Sequence, residues 1–324
     1  MKTPLRLIPL LEPIRPQMER VECLLHETLA RVDEPLNSML RRSLGGGKRL
    51  RPALVVLTGR MFTSSTAPFH SVAAAVEMLH AATLIHDDLV DEAHLRRGRE
   101  TLHTTWPAGA TVLAGDYLLA RSVALIAELE HPRILGILAE TLCTMCAGEI
   151  RQIFTAEGKQ NSREEYYRRI EAKTASLCAA ATEMAGILAG AGESQIAALR
   201  RFGLELGTAF QIADDVLDFI GDEAQLGKPA GSDLRQGLMT LPTLWYLERI
   251  EDDAPVNAVL SGQRDAEHVR AAVEAICSSG AIEASLAEAQ AHAEQSQEAL
   301  ATLPDSASRQ ILYSLAEYVV GRRR

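Results

Sequence analysis

The chain of 324 residues is 47% hydrophobic, 23% charged and only 4% aromatic, so it holds enough apolar material for a sizeable core. A formal net charge of -10 excludes a broad nucleic-acid-binding surface, which phosphate backbones require to be basic. Five cysteines, an odd number, without a secretory signal pattern at the N-terminus, fit reduced thiols in a cytoplasmic protein rather than a disulfide framework.

Met1 to Pro16 is punctuated by Pro4, Pro9, Pro13 and Pro16 and carries no long apolar run. From Glu19 to Arg42 apolar residues recur at helical spacing, until Gly45, Gly46 and Gly47 break the pattern. A new apolar run follows Pro52, a residue suited to a first helical turn. Ala73 to Asp91 predicts a long helix that ends in acid, and Gly98 to Thr105 predicts a loop. Thr111 to Leu129 and Arg133 to Thr155 predict two further helices. After polar Lys159 to Ser162, the helical pattern resumes from Arg163 to Gly190, and Ser176 to Gly192 is apolar enough to be buried. Gln195 to Ile220 predicts a second long helix ending in acid, followed by a loop-like stretch to Leu241 with Gly227, Pro229, Gly231 and Gly237. Helices continue to the end, with weak links at Asp252 to Pro255 and Ser278 to Gly280.

Helix formers dominate and alternating β-branched runs are scarce, so the predicted fold is all-α. One domain over residues 1–324 is expected, a bundle of about ten or more antiparallel helices around a central cavity. No apolar run of membrane-spanning length is free of a charge or a histidine, so no transmembrane segment is expected. Cys143 and Cys146 form a C-x-x-C inside a helical pattern with no second pair, and are expected to be small core residues.

Two segments carry the chemistry. His86-Asp87-Asp88-Leu89-Val90-Asp91 and Ala213-Asp214-Asp215-Val216-Leu217-Asp218 are both D-D-x-x-D. On a helix the first and last aspartates share a face, with the middle one beside them. Three carboxylates at a helix C-terminus repel one another and meet the negative end of the dipole, a costly arrangement unless a cation neutralises it. Hard oxygen ligands suit magnesium, which keeps waters and bridges to phosphates. The alternative, a solvated acidic face, is reasonable for one such motif but not for two copies, each behind an apolar helix.

Basic groups lie beside both motifs. Gly46-Gly47-Lys48-Arg49-Leu50-Arg51-Pro52 places three cations on a glycine-rich turn before a helix, where backbone N–H groups also favour an anion. Arg96-Arg97-Gly98 follows the first motif, Gly227-Lys228-Pro229 follows the second, and Lys173-Thr174 lies between them. The histidines lack zinc-enzyme spacing, and no nucleophile elbow or nucleotide-binding glycine loop is present.

The segments GGKRLRP, EMLHAATLIHDDLVDEAHLRRG, GDYLLAR, GEIRQ, KTASL, FQIADDVLD, LGKPAGSDL and TLP, in this order, resemble the trans-isoprenyl diphosphate synthases, or polyprenyl synthetases, from about Gly45 to Pro242. That resemblance implies a prenyltransferase that joins isopentenyl diphosphate to an allylic diphosphate. It implies that Asp87, Asp88, Asp91, Asp214, Asp215 and Asp218 hold magnesium, up to three ions per site, on the allylic diphosphate. Arg96, Lys173, Thr174, Gln211 and Lys228 would contact the same group, and Lys48, Arg51, His80 and Arg97 would hold isopentenyl diphosphate. Glu149 and Gln152 match a family motif and are expected to act in support. A homodimer built on helix packing is the family expectation.

In short-chain members a bulky aromatic commonly blocks the product tunnel just before the first motif. Here Ala82 and Thr83 occupy those positions, and the two-residue insertion of many bacterial short-chain members is absent, so a longer product of the kind used for quinone side chains is expected. Leu238 stands where many members carry a lysine. The basic C-terminus Gly321-Arg322-Arg323-Arg324 is expected to be a frayed helix end. A class I terpene cyclase and a non-catalytic partner subunit are the competing readings. The intact second motif and GGKRLRP oppose the first, and the retention of all six aspartates opposes the second.

Overall fold

The computed structural model describes residues 7–96, 98–158, 162–221, 229–250 and 254–322. In chain order the helices are α1 (Leu7–Leu11), α2 (Arg15–Leu29), α3 (Leu36–Leu44), α4 (Leu50–Phe62), α5 (Ala67–Val90), α6 (Leu102–Thr105), α7 (Ala108–Ala127), α8 (Pro132–Gly158) and α9 (Arg163–Ile170). A π-helical turn (Glu171–Ala175) leads into α10 (Ser176–Leu188) and α11 (Glu193–Ile220). The remainder is α12 (Ser232–Gln236), α13 (Leu241–Leu247), α14 (Ala254–Leu260), α15 (Ala266–Ser278), α16 (Ala281–Ala301) and α17 (Ala307–Gly321). The fold is all-α. The strands described are a two-residue antiparallel pair, Leu95–Arg96 with Arg99–Glu100.

The two helices that end in acid are central. α5 opens with Pro68 in its first turn and is sealed from Val72 to Val76, all at 0% exposure, because small and β-branched side chains admit neighbours on every side. α7, α4 and α10 pack around it. α11 starts where Gln195 Oε1 accepts the Gly192 N–H at 3.0 Å, and it packs along α10 and α16.

The close approach of α10 to α11 depends on two glycines one turn apart. A Cβ on Gly203 would sit 2.4 Å from the Cys178 carbonyl oxygen, and one on Gly207 would sit 2.6 Å from Ala175 Cα. Gly115 plays the same part between α7 and α5, where a Cβ would lie 2.1 Å from His86 Nε2, beside Asp87. The main core joins α4, α5, α7, α10 and the first half of α11. A second cluster, with Val216, Phe219 and Tyr246, packs α14 and α15 beneath the end of α11, and a third joins Tyr166 and Ile170 to Ile212 and Leu241.

The structure departs from the sequence reading at identifiable places. α1 forms in spite of Pro9, and the pattern from Glu19 to Arg42 is two helices, broken between Ala30 and Pro35. The stretch read as a loop after Gly98 is the second strand of a hairpin followed by α6, and Gly98 turns it at φ 72°. Cys143 and Cys146 are exposed, not core: the helical pattern that includes them places their face of α8 outward. α7 is long and apolar enough to cross a membrane, but Asp116 and Arg121 interrupt it and one face is buried in the main core.

Gly203→Ala is expected to destabilise the fold by about 1–3 kcal/mol, the usual cost of forcing a methyl group into a closed contact. Urea unfolding measures it, and an unchanged midpoint would mean that α10 and α11 separate freely.

Candidate active site

The first motif closes α5. Its carboxylates already have cationic neighbours. Asp87 Oδ2 lies 3.1 Å from Lys173 Nζ, which is also 2.9 Å from Glu149 Oε2 on α8. Asp88, only 7% exposed, accepts a hydrogen bond from Arg96 Nε at 2.6 Å. Arg96 can reach back because the chain reverses directly after the helix. The Asp91 N–H still bonds the Asp87 carbonyl at 2.8 Å, and the short hairpin then returns Arg96 to the helix end.

The second motif closes α11 and is more deeply set, with Asp215 at 4% and Asp218 at 2% exposure. Asp215 Oδ1 accepts from Gln211 Nε2 at 2.8 Å and Oδ2 from the Tyr166 hydroxyl at 2.7 Å. Asp218 Oδ2 accepts the Asp233 N–H at 3.1 Å. Asp214 Oδ1 pairs with Arg322 Nη2 at 2.9 Å.

The π-helical turn joins the two motifs. An extra residue in a helical turn shifts the directions of consecutive side chains, which is why such turns recur at functional sites. Here Lys173 reaches Asp87, while the next residue, Thr174, donates to Gln211 Oε1 at 2.7 Å and so enters the Asp215 network. Two adjacent residues thus reach both motifs, Lys173 directly at Asp87 and Thr174 through Gln211 to Asp215. Asp233 adds a second link, since its charge pushes up the carboxyl groups of both Asp91 and Asp215.

Comparison with known proteins places these features in a family. The polyprenyl synthetase family model matches residues 33–276. The chain is 40% identical to heptaprenyl diphosphate synthase component 2 of Geobacillus stearothermophilus, over 92% of this chain and 97% of that protein. It is 37% identical to nonaprenyl diphosphate synthase of Mycobacterium tuberculosis, over 95% of this chain and 93% of that one. A crystal structure of polyprenyl synthase from Caulobacter crescentus, complexed with calcium and isoprenyl diphosphate, superposes with a TM-score of 0.93 at 36% identity, covering 100% of both chains. This chain belongs to the polyprenyl synthetase family. It is a polyprenyl diphosphate synthase, a transferase of prenyl groups.

In this polyprenyl synthetase the electrostatics centre on charge that burial has made costly. Burial pushes the Asp88 carboxyl up; Arg96 works against it, while Asp87 and Asp91 add to it. Burial likewise raises Asp91 and Glu149, with Lys173 opposing in each case. Burial pulls the Lys173 ammonium down, but Asp87 and Glu149 outweigh it and hold it above its ordinary value. Asp215 is pushed up to about 7 by burial and then by Asp233, against the hydrogen bonds from Gln211 and Tyr166. Among the described residues no three His, Cys, Asp or Glu side chains form a ready-made cage. The donors fit magnesium in another way: they are hard oxygens next to cationic side chains, suited to an ion that shares its shell with water and diphosphate.

The expected diphosphate-binding side chains divide. Arg49, second of the three cations on the glycine turn, is held at φ 50° and bonded to Glu22 at 2.5 Å, Glu77 at 2.7 Å and the Leu44 carbonyl at 2.6 Å, so its charge serves the fold. Lys48 is exposed. Arg51 lies against Cys178, with its Nε buried and without a hydrogen-bond partner. His80 shares the Asp87 face of α5, two turns earlier. Arg97 and Lys228 lie outside the described residues. Ala82 and Thr83 also separate: Ala82 has 0% exposure within the main core, whereas Thr83 is partly exposed one turn before Asp87. Leu238 sits beside Asp233, whose carbonyl accepts its N–H at 2.9 Å, and adds no charge there.

Three contributors escaped the sequence reading. Tyr166 looks like an ordinary apolar-face residue, and Asp233 lies in a loop segment that the family pattern contained without a role. Arg322 was expected to fray, yet its side chain is only 5% exposed.

Because the folded Asp215 pKa lies above that of an unfolded aspartate, folding takes up a proton between about pH 4 and 7, and stability from this group falls as pH rises through that window. Asp215→Asn should therefore stabilise the metal-free protein at pH 8, by roughly 1–3 kcal/mol on an order-of-magnitude basis, and by much less at pH 4.5. Thermal unfolding in chelator at both pH values checks this; an equal effect at both would remove the buried charge as the cause.

Proposed function

We propose that this chain condenses isopentenyl diphosphate with an allylic diphosphate, head to tail, to give a long polyprenyl diphosphate, and that it works as one helical domain in the cytoplasm. The observation that carries the proposal is the junction at Lys173 and Thr174, where one helical turn meets Asp87 directly and Asp215 through Gln211. Magnesium, when bound by Asp87, Asp88, Asp91, Asp214, Asp215 and Asp218, supplies Lewis acidity to the departing diphosphate. The Caulobacter relative crystallised with calcium and isoprenyl diphosphate supports a divalent ion and a diphosphate at such a site.

The side chains have separable tasks. Lys173, Arg96, Thr174, Gln211 and Lys228 would orient the allylic diphosphate and stabilise its charge as the carbon–oxygen bond breaks. Lys48, Arg51, His80 and Arg97 would hold isopentenyl diphosphate with its double bond facing the allylic carbon. The unpartnered Arg51 Nε is a donor in place for an anion. Carbon–carbon bond formation leaves a tertiary cation, whose proton passes to the diphosphate just released, so the protein needs no dedicated base. The buried floor of α5 excludes water from the cationic species.

The relatives named for heptaprenyl and nonaprenyl products support a long chain. On α5, Thr83 rather than Ala82 presents surface toward Asp87. Thr83→Phe is expected to shift the products to shorter chains, whereas Ala82→Phe would do so only by displacing packed neighbours, at about 1–3 kcal/mol of stability. Chromatographic sizing of products from dimethylallyl, geranyl and farnesyl primers with magnesium tests both the activity and the length. An unchanged distribution in Thr83→Phe would place the channel elsewhere.

A second copy of the chain is the proposed partner. α7 and α8 expose Leu113 at 67%, Ile150 at 56% and Phe154 at 68%, beside the small residues Cys143 and Cys146, a face suited to a symmetric helix–helix interface. Leu113→Glu should convert dimer to monomer in light scattering after size exclusion, and a monomeric wild type would refute the interface. The relative named as component 2 favours a second reading, a subunit of a two-protein synthase. Turnover by the purified chain alone decides for the first, and activity only after addition of another protein decides for the second.

A further inference from the structure

The last helix ends on the second acidic motif. Arg322, directly after α17, donates from Nη2 to the Phe210 carbonyl at 2.8 Å and from Nε to the Val319 carbonyl at 2.9 Å. Its guanidinium carbon lies 3.9 Å from the centre of the Phe210 ring, a stacked cation–π contact. The same Nη2 is 2.9 Å from Asp214 Oδ1. An arginine only 5% exposed with four such contacts is seated rather than frayed.

Its carboxylate partner is the accessible one of its motif: the Asp214 side chain is 41% exposed, while Asp215 and Asp218 are buried. Each acidic motif thus has a protein cation on it, Lys173 on Asp87, Arg96 on Asp88 and Arg322 on Asp214. They differ in how they are anchored. Lys173 sits within a long helical run and Arg96 in a paired strand, so the backbone of each is fixed. Arg322 lies just past the end of α17, its N–H on the Tyr318 carbonyl at 3.1 Å, and is part of no regular element. It can leave at the cost of its own contacts.

We infer that Arg322 is a tethered placeholder cation, which occupies Asp214 while no divalent ion is bound and gives up that carboxylate when metal loads with diphosphate. The inference rests on the proposed metal role of Asp214. Its physical content is competition: one carboxylate oxygen serves either the guanidinium or the ion. Arg322 therefore weakens the first metal-binding event at this motif and ties the order of the C-terminus to metal loading.

Manganese binding to the full chain, followed by the electron paramagnetic resonance signal of the free ion in the presence of inorganic diphosphate, tests it. Arg322→Gln removes the charge yet keeps an amide donor for the Phe210 carbonyl. It is expected to bind manganese about fivefold more tightly than wild type, the range of a partly exposed ion pair. The gain should vanish on an Asp214→Asn background. In the wild type, which needs no substitution, amide exchange at residues 319–322 should quicken when manganese and diphosphate are added. Equal or weaker manganese binding by Arg322→Gln, or unaltered exchange at the C-terminus with the metal bound, overturns the placeholder while leaving the metal site intact. Failure of both wild type and variant to bind manganese overturns the metal site and the inference together.

Discussion

Six carboxylates at the ends of two helices, three of them nearly sealed from water, make up a charge that the protein cannot carry alone. Both motifs also lie where the helix dipole is negative, so neither local structure nor burial favours the ionised form. The chain responds with cations of its own. Lys173, Arg96 and Arg322 reach the motifs from three separate segments, and hydrogen-bond donors from Gln211 and Tyr166 hold Asp215. Burial and Asp233 still raise Asp215 to about 7, which shows that the compensation is incomplete. A polyprenyl synthetase can use that imbalance, because a site short of positive charge favours divalent ions together with a substrate that brings its own phosphate oxygens.

Positioning these groups is a packing problem solved far from the charges. Gly203 and Gly207 let α11 lie directly on α10 and on the π-helical turn, and Gly115 leaves space for His86 next to Asp87. The turn then aims Lys173 at one motif and Thr174 at the network of the other. Behind it, Arg163, Tyr167 and Trp245 all bond Glu288, which fastens α9 to α13 and α16. The chain from glycine contact to helix spacing to carboxylate position is continuous, and the chemistry at the mouth inherits its geometry from the floor.

Much of this was legible in the residues themselves. Apolar spacing located α5, α7, α8 and α11, and the D-D-x-x-D pattern located the acid at two helix ends. Periodicity could not reveal the π-helical turn, which differs from α-helix by a single residue within a continuous apolar pattern. Nor could it separate Ala82 from Thr83, since adjacent residues on a helix differ by 100° and the packing partners decide which of them meets open space. The C-x-x-C pair illustrates the opposite error: small, apolar spacing on α8 looked like core and is an exposed face. Arg322 was unreadable for a simpler reason, because its partners Phe210 and Asp214 are more than a hundred positions away in the chain.

The claim on which the account depends is that both motifs serve one diphosphate. Anomalous diffraction from crystals grown with manganese and an unreactive allylic diphosphate analogue addresses it directly. The account predicts ions ligated from the Asp87 side and from the Asp214 side around the same diphosphate group. Ions confined to one motif, with the diphosphate out of reach of the other, would contradict it.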